Sequence, residues 1–217
     1  MHSEIKPSNQ PKPSFIETAR RAQIIECAID AIAELGFAQA SLAQIAKRAG
    51  VSTGVILYYF AGKDELIRAV GAHVFATGAD LISPPVNAQP TARAALRVFI
   101  EASVGFLAAH PNYARAVMNI IRAGRAGDGD PAFDPTVVQP RQTGFRSILE
   151  WGQREGEFRP FAVGVMAETI IESLDAIPPQ LAADPALDLD AYARELVELF
   201  DRATRADESG LKEPNTR

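Results

Sequence analysis

A run of small and hydroxyl-bearing side chains occupies residues 52–55. The hydroxyls of Ser52 and Thr53 can hydrogen-bond to DNA bases or phosphates, and the carbons of Val55 can contact the methyl group of a thymine. Gly54 has no side chain, so another surface can approach the backbone there. These residue types favour recognition of a nucleic acid over catalysis.

Two tyrosines and a lysine follow this run. The hydroxyls of Tyr58 and Tyr59 are suited to phosphate oxygens. Lys63 stands at the predicted start of a helix, where the helix dipole suits the acidic Asp64 and Glu65 but disfavours a cation. A phosphate bound nearby would explain the lysine, and we predict that Lys63 contacts one.

Two short helices joined by a tight turn must position these side chains. Ser41 and Gln44 fit a capping box at the start of the first helix, and Ser41 joins the candidate DNA contacts. Gly50 ends that helix, because glycine tolerates the left-handed conformation of a helix C-terminus. Ser52 then caps the second helix. The pattern predicts a helix-turn-helix, whose second helix enters the DNA major groove.

Residues 20–68 resemble the DNA-binding domain of the TetR (tetracycline-repressor-like) family of bacterial transcription regulators. The shared pattern is Ser/Thr-x-x-x-Ile-Ala-x-x-Ala-Gly-Val-Ser-x-Gly, then an aromatic pair with Phe, then Lys-x-x-Leu. The matching residues are Ser41, Ile45, Ala46, Ala49, Gly50, Val51, Ser52, Gly54, Tyr59, Phe60, Lys63 and Leu66. The family usually has Tyr where this chain has Leu57, so one phosphate contact expected of the family is missing.

The resemblance implies an all-helical homodimer that binds a palindromic operator in double-stranded DNA. It also implies a site for an unidentified small-molecule effector in the C-terminal domain, and hence a ligand-responsive regulator, which we expect to be a repressor that the effector releases. The candidate DNA contacts are Ser41, Ser52, Thr53, Gly54, Val55, Tyr58, Tyr59 and Lys63.

Other interpretations of the pattern remain open. It could be a helical hairpin with no DNA role, a DNA-binding dimer without an effector, or a helical small-molecule-binding protein or enzyme. The last has little support, because His2, His73 and His110 lack the spacing of metal ligands, and no glycine-rich phosphate loop or nucleophile elbow is present. We therefore predict no enzyme activity, no cofactor and no metal.

Charge is distributed unevenly along the 217 residues, whose formal net charge is −5. Residues 1–70 hold eight Lys or Arg and seven Asp or Glu, a net charge of +1, which leaves −6 for the remainder. DNA binding would therefore rest on a few placed contacts rather than on a broad positive field. Arg20 and Arg21 could add phosphate contacts or could simply be solvated.

The single cysteine, Cys27, excludes an intramolecular disulfide, and we expect it to be a buried small residue. No segment has the layout of a signal peptide or the length of apolar sequence that spans a membrane. We expect a cytoplasmic protein with no membrane partner.

Helical periodicity runs through the chain without a convincing strand pattern, so the predicted fold class is all-α. We predict a disordered arm at 1–14, a three-helix helix-turn-helix DNA-binding domain at 15–62, a helical effector-binding and dimerisation domain at 63–205, and a disordered tail at 206–217. Beyond the turn, helices are predicted at 15–35, 63–82, 91–109, 112–123, 136–155, 161–177 and 188–205. Pro-, Gly- or Asp-rich loops are predicted at 83–90, 123–135 and 178–185, with 83–90 as the best domain boundary.

A helical bundle commonly encloses a ligand cavity. The candidates for its lining are mainly large apolar residues on inner helix faces, and ordinary core packing is the alternative for each. They are Phe75, Phe99, Phe106, Met118, Arg122, Phe145, Trp151 and Met166. Arg122 could meet a ligand carboxylate or form a surface salt bridge.

The two late helices, 161–177 and 188–205, are the natural pair for a four-helix dimer interface. The apolar positions predicted there are Ile170, Ile171, Leu174, Leu196, Leu199 and Phe200. Such a dimer would set two reading helices about one DNA turn apart, roughly 34–36 Å.

Overall fold

The computed structural model describes residues 14–126 and 139–206, and within these ranges the chain is helical apart from short connections. The helices are α1 Phe15–Leu35, α2 Leu42–Ala49, α3 Thr53–Tyr59, α4 Lys63–Asn87, α5 Ala92–Ala109, α6 Pro111–Ala126, α7 Gln139–Arg154, α8 Val163–Asp175, α9 Ile177–Ala183 and α10 Leu189–Thr204. The all-α prediction is confirmed. The predicted arm and tail lie outside the described residues except for their innermost positions, as does 127–135 of the predicted loop.

Local capping residues set the ends of α1 and α2. The Ser14 hydroxyl accepts a hydrogen bond from the Glu17 backbone N–H, and the Glu17 carboxylate accepts one from the Ser14 N–H at 2.7 Å, which completes a capping box. Gly36 and Gly50 follow the two helices with φ of 80° and 65°, a backbone conformation that favours glycine. The predicted bounds of α1 are confirmed.

Two apolar cores hold the helices together. The first contains residues of α1, α2, α3 and the first half of α4, and α6 adds Ala116, Val117 and Ile120 to it. The second is formed mainly by α5, α7, α8 and α10. Helix α4 contributes Leu66 to the first core and Val86 to the second, so one continuous helix connects them.

The predicted loop at 83–90 is wrong for residues 83–87, which continue α4. Pro84 and Pro85 each remove a helical hydrogen bond and crowd the preceding turn. They are tolerated because they stand near the helix end, where Val86 is buried and the Ala88 N–H still reaches the Pro84 carbonyl at 3.2 Å.

The predicted loop at 178–185 is also wrong, since α9 occupies most of it. Pro178 and Pro179 fall in the first turn of α9, where a missing backbone N–H costs nothing. Ile177 and Pro178 are buried, which anchors this short helix. The predicted break at 156–160 is confirmed, and Gly156 there has a φ of 75°. No helix in the described ranges combines the length and apolar character needed to cross a membrane.

Candidate nucleic-acid interface

Helices α2 and α3 form the predicted helix-turn-helix. Ile45 of α2 and Ile56 of α3 are fully buried in the first core, and the turn between the helices is closed by a bond of 3.0 Å from the Val51 N–H to the Ala46 carbonyl. Because Ile56 points inward, the opposite side of α3 is directed outward. That side carries the exposed Gly54, Leu57 and Tyr58, and the half-buried Thr53 lies beside it in the first turn of α3. We call these four residues the reading face.

The capping serines lie at the starts of the two helices and are exposed. Ser41 and Ser52 each accept a bond of 3.3 Å from a backbone N–H three residues later. A hydroxyl that accepts still has its own proton to donate. Both serines can therefore cap a helix and donate to a phosphate at the same time, and the DNA contact of each stays a prediction.

Tyr58 and Tyr59 differ in their surroundings. Tyr58 is 72% exposed, and its hydroxyl lies 3.5 Å from Glu17 Oε1, which brings the start of α1 beside the end of α3. Hydrogen bonds from Ser14 are the main cause of a lowered Glu17 pKa, so a negative charge stands next to the Tyr58 hydroxyl. Tyr59 is half-buried and packs on the first core, and Val55 does the same.

Lys63 has a partner within the protein. Its Nζ donates to the Phe37 carbonyl at 2.8 Å and lies 4.5 Å from the centre of the Phe37 ring. Burial lowers the pKa of Lys63, and Asp64 opposes that effect. The carbonyl explains a cation at this helix start without a phosphate. An ammonium has three N–H donors, and the Phe37 carbonyl uses one of them, so Lys63 can still donate to a phosphate. That contact stays a prediction.

Three arginines of α1 and α2 are engaged with the protein. Arg48 of α2 pairs with Glu34 of α1, with 2.9 Å between Nη1 and Oε1. Arg20 donates to Gln23 at 2.7 Å, and the Arg21 guanidinium lies 4.8 Å from the centre of the Phe60 ring. Of the three, only Arg48 is paired with carboxylates of the described residues, so Arg20 and Arg21 keep their positive charge for a possible phosphate contact.

A polar cluster that the sequence did not reveal joins α1, α4 and α6. Glu26 Oε1 accepts from the Tyr113 hydroxyl at 2.6 Å and lies 2.7 Å from His73 Nε2. Burial, followed by the bond to Glu26, raises the pKa of Tyr113, so its hydroxyl remains a proton donor. Nearby, Asn112 of α6 donates to Asp30 of α1 at 2.9 Å. These bonds connect the helix-turn-helix unit to the later helices, and no local sequence signal marks residues so far apart.

The eight candidate ligand residues do not converge on one place. Phe99 and Phe145 stack with 3.9 Å between ring centres in the second core, and Trp151 and Met166 are partly buried against the same core. The others lie apart: Phe75 and Phe106 pack on the first core, Met118 is half-buried and Arg122 is exposed. Two surface concavities on α5, α6, α8 and α9 are lined by none of the eight. The role of the eight candidate residues in ligand binding stays a prediction.

One buried hydroxyl stands out in α5. Within the described ranges, Ser103 Oγ is buried and has no hydrogen-bond partner. Ser103 lies one helical turn after Phe99 and directly before Val104, both members of the second core. An unpaired buried hydroxyl is destabilising, so a group that could bond to it would be favoured there.

Five of the six predicted dimer residues are buried inside the protomer. The buried five are Ile170, Ile171, Leu174, Leu196 and Phe200, all members of the second core. Leu199 of α10 is 57% exposed, and Val165 of α8, which was not predicted, is 67% exposed. The apolar periodicity found the side of each helix that faces the protomer's own core, so the outward sides are the ones available to a partner.

This geometry defines a class of protein: a helix-turn-helix with an exposed reading face, carried by a larger helical domain, is the architecture of DNA-binding transcription regulators. The family model described as "Bacterial regulatory proteins, tetR family" matches residues 24–70, which contain the whole helix-turn-helix. Residues 24–70 therefore match the DNA-binding domain of the TetR family, a family of transcription regulators.

Similar proteins agree with this assignment. The HTH-type transcriptional regulator BetI of Escherichia coli O45:K1 is 39% identical over 90 residues, which are 42% of this chain and 45% of BetI. The match thus spans less than half of this curated relative. The fatty acid degradation regulator FadR of Bacillus halodurans superimposes with a TM-score of 0.75 at 22% identity, over 87% of this chain and 96% of FadR. FadR of Bacillus subtilis, solved with stearoyl-CoA, gives 0.72 at 23% identity, over 82% and 96%. At these identities the structures establish the shared fold.

Proposed function

We propose that this protein is a cytoplasmic, ligand-responsive transcription repressor that binds a palindromic DNA operator as a homodimer and is released by a small-molecule effector. The observation that carries the DNA-binding part is the reading face of α3. Three of its residues, Gly54, Leu57 and Tyr58, are exposed, while the fully buried Ile56 anchors the helix in the first core.

The reading face suits a major groove in both shape and chemistry. A major groove about 12 Å wide admits one α-helix. A Cβ built on Gly54 would meet only Ser52 Oγ, at 3.6 Å, so the backbone is open to a close approach. Thr53 can donate to or accept from a base edge, and Ser41 and Ser52 can donate to phosphates beside it.

One protomer can make only a few contacts with DNA phosphates, which favours binding as a dimer. With a charge of only +1 over residues 1–70, one protomer would neutralise few phosphates and bind weakly. Two protomers that meet through the outward sides of α8 and α10, where Val165 and Leu199 are exposed, would double the contacts and match a palindrome.

The second core is where we expect the effector to act. The buried Ser103 hydroxyl lacks a partner among the described residues, and one helical turn before it Phe99 stacks on Phe145 in the second core. The stearoyl-CoA bound to FadR of Bacillus subtilis makes a molecule with a long apolar chain the first candidate to try. Helix α4 enters both cores, so a ligand that shifts its second half can move the reading face. Only an effector that binds the two states with different affinity can do so.

Binding to DNA is tested by selecting duplexes from a random pool with the purified full chain and measuring affinity for the selected site. Thr53→Ala should change the preferred base at one position in each half-site, whereas Lys63→Ala should weaken binding to all sequences and reduce the slope of log K against log salt by about 1. Arg97→Ala, an exposed cation on α5, serves as the control and should bind like wild type. Absence of any selected duplex would refute the function.

The effector is tested separately. Stearoyl-CoA should release the selected duplex and raise the thermal stability of the protein, while coenzyme A without the acyl chain should do neither. A DNA-binding dimer that no ligand in a broad metabolite panel releases would favour the effector-independent alternative. No feature of the described residues favours the alternative of a small-molecule enzyme.

A further inference from the structure

An exposed leucine stands in the middle of the reading face. Leu57 is 50% exposed, although the neighbouring Ile56 is fully buried and Tyr59 packs on the first core. Leu57 belongs to neither apolar core. Single exposed leucines are common on protein surfaces, so exposure alone explains nothing. What matters here is the position of this one.

Leu57 shares its side of the helix with the groups proposed to meet the bases. It follows Thr53 by four residues and Gly54 by three, and such spacings place side chains next to each other on one helix face. The open backbone at Gly54 lets the helix approach the DNA closely. When Thr53 and Gly54 are at the base edges, the Leu57 side chain is directed to a neighbouring base step.

The chemistry of leucine restricts what it can recognise. Its side chain has no hydrogen-bond donor or acceptor, so it gains nothing from a phosphate oxygen or from the polar edges of the bases. In the major groove, the 5-methyl group of thymine is the apolar feature that distinguishes one base pair from another. We propose that Leu57 is a specificity-determining residue that selects a thymine by contact with its 5-methyl group. This inference rests on the proposed binding of a duplex by α3.

The test removes one methyl group at a time from the DNA. In the duplex selected by the full chain, each thymine is replaced singly by deoxyuridine, which keeps every hydrogen bond and lacks only the methyl. For wild type, we expect one position in each half-site to weaken binding about fourfold, the equivalent of one buried methyl-sized group at about 0.8 kcal/mol. For Leu57→Ala, the same replacement should change affinity by less than about 1.5-fold, because the contact is already gone.

A matched control separates the position from the residue type. Leu81 of α4 is 54% exposed and lies outside the reading face, so Leu81→Ala should keep the full fourfold response. Leu57→Ala removes no packing from either core, and its helical circular dichroism should match that of wild type.

Each outcome decides the matter. If Leu57→Ala keeps the fourfold response, or if no thymine position responds in wild type, Leu57 does not read a methyl group, although selection of a duplex and the Thr53→Ala shift would leave the proposed function intact. If no duplex is selected at all, the proposed function fails and this inference fails with it.

Discussion

Two helical glycines should respond in opposite directions to the same substitution. A Cβ on Gly152 of α7 would lie 2.0 Å from Phe158 Cδ2 and 2.3 Å from Cε2, far inside any real contact. Phe158 cannot move away easily, because its ring is buried in the second core and its N–H bonds to the Gly152 carbonyl at 3.0 Å. Gly105 of α5 is exposed, and a Cβ there would meet nothing within 4 Å.

The magnitudes follow from these distances. Overpacking a core costs about 1–3 kcal/mol and occasionally more, and the clash at Gly152 belongs at or above the upper end of that range. Replacing glycine by alanine inside a helix recovers about 1 kcal/mol. We therefore expect Gly152→Ala to lower the free energy of unfolding by about 2 kcal/mol or more, because a clash of about 3 kcal/mol outweighs the helix gain of about 1 kcal/mol. Gly105→Ala has no clash and should raise the free energy of unfolding by about 1 kcal/mol.

The assay is urea unfolding followed by helical circular dichroism, at one fixed protein concentration because association would shift the midpoint. A double variant adds a direct check on the cause: Phe158→Leu should be less harmful in the Gly152→Ala protein than alone, since the smaller side chain relieves the clash. Equal stability of the two alanine variants, or no relief by Phe158→Leu, would refute the packing argument.

Three other perturbations have defined outcomes. Tyr113→Phe removes the hydroxyl that donates to the Glu26 carboxylate, and thermal unfolding should show a loss of about 1.5 kcal/mol; an unchanged midpoint would mean that the bond adds nothing. Ser103→Ala removes an unpaired buried hydroxyl and should leave stability equal or raise it by about 1 kcal/mol, so a clear loss would reveal a hidden partner. The bond from Arg93, first among the causes, lowers the pKa of Asp201. The stabilisation by this pair is therefore complete above the unfolded pKa of Asp201 and is lost as pH falls through the folded pKa. Asp201→Asn should accordingly destabilise the protein at neutral pH and match wild type in strong acid, and a constant difference at all pH values would contradict the ion-pair origin.

The sequence predicted those features that depend on neighbouring residues. Ser41, Gly50 and Ser52 set the ends of α2 and α3 through bonds that span only a few residues, and the structure has all three caps in place. The same local reasoning failed at Pro84 and Pro85. There a buried Val86 keeps the helix going, and that burial depends on distant helices.

Apolar periodicity shows that one side of a helix is buried but not what buries it. Ile170 and Phe200 were expected to meet a second protomer, yet they pack in the second core of their own chain. Contacts between residues far apart in sequence, such as Glu26 and Tyr113, could not be predicted from the sequence either. For Lys63 the sequence found the anomaly of a cation at a helix start but not the Phe37 carbonyl that explains it.

The shared first core also limits how regulators of this kind can be recombined. A chimera that took residues 15–62 from this chain and everything after them from another would replace Leu66, Ile67 and Val70, together with the α6 residues that complete the core around α1. The transplanted reading face would then be supported by a first core that lacks its matching α4 and α6 residues. A transferable unit has to include the first half of α4 and the inner side of α6, so the segment that reads DNA is shorter than the segment that must be inherited with it.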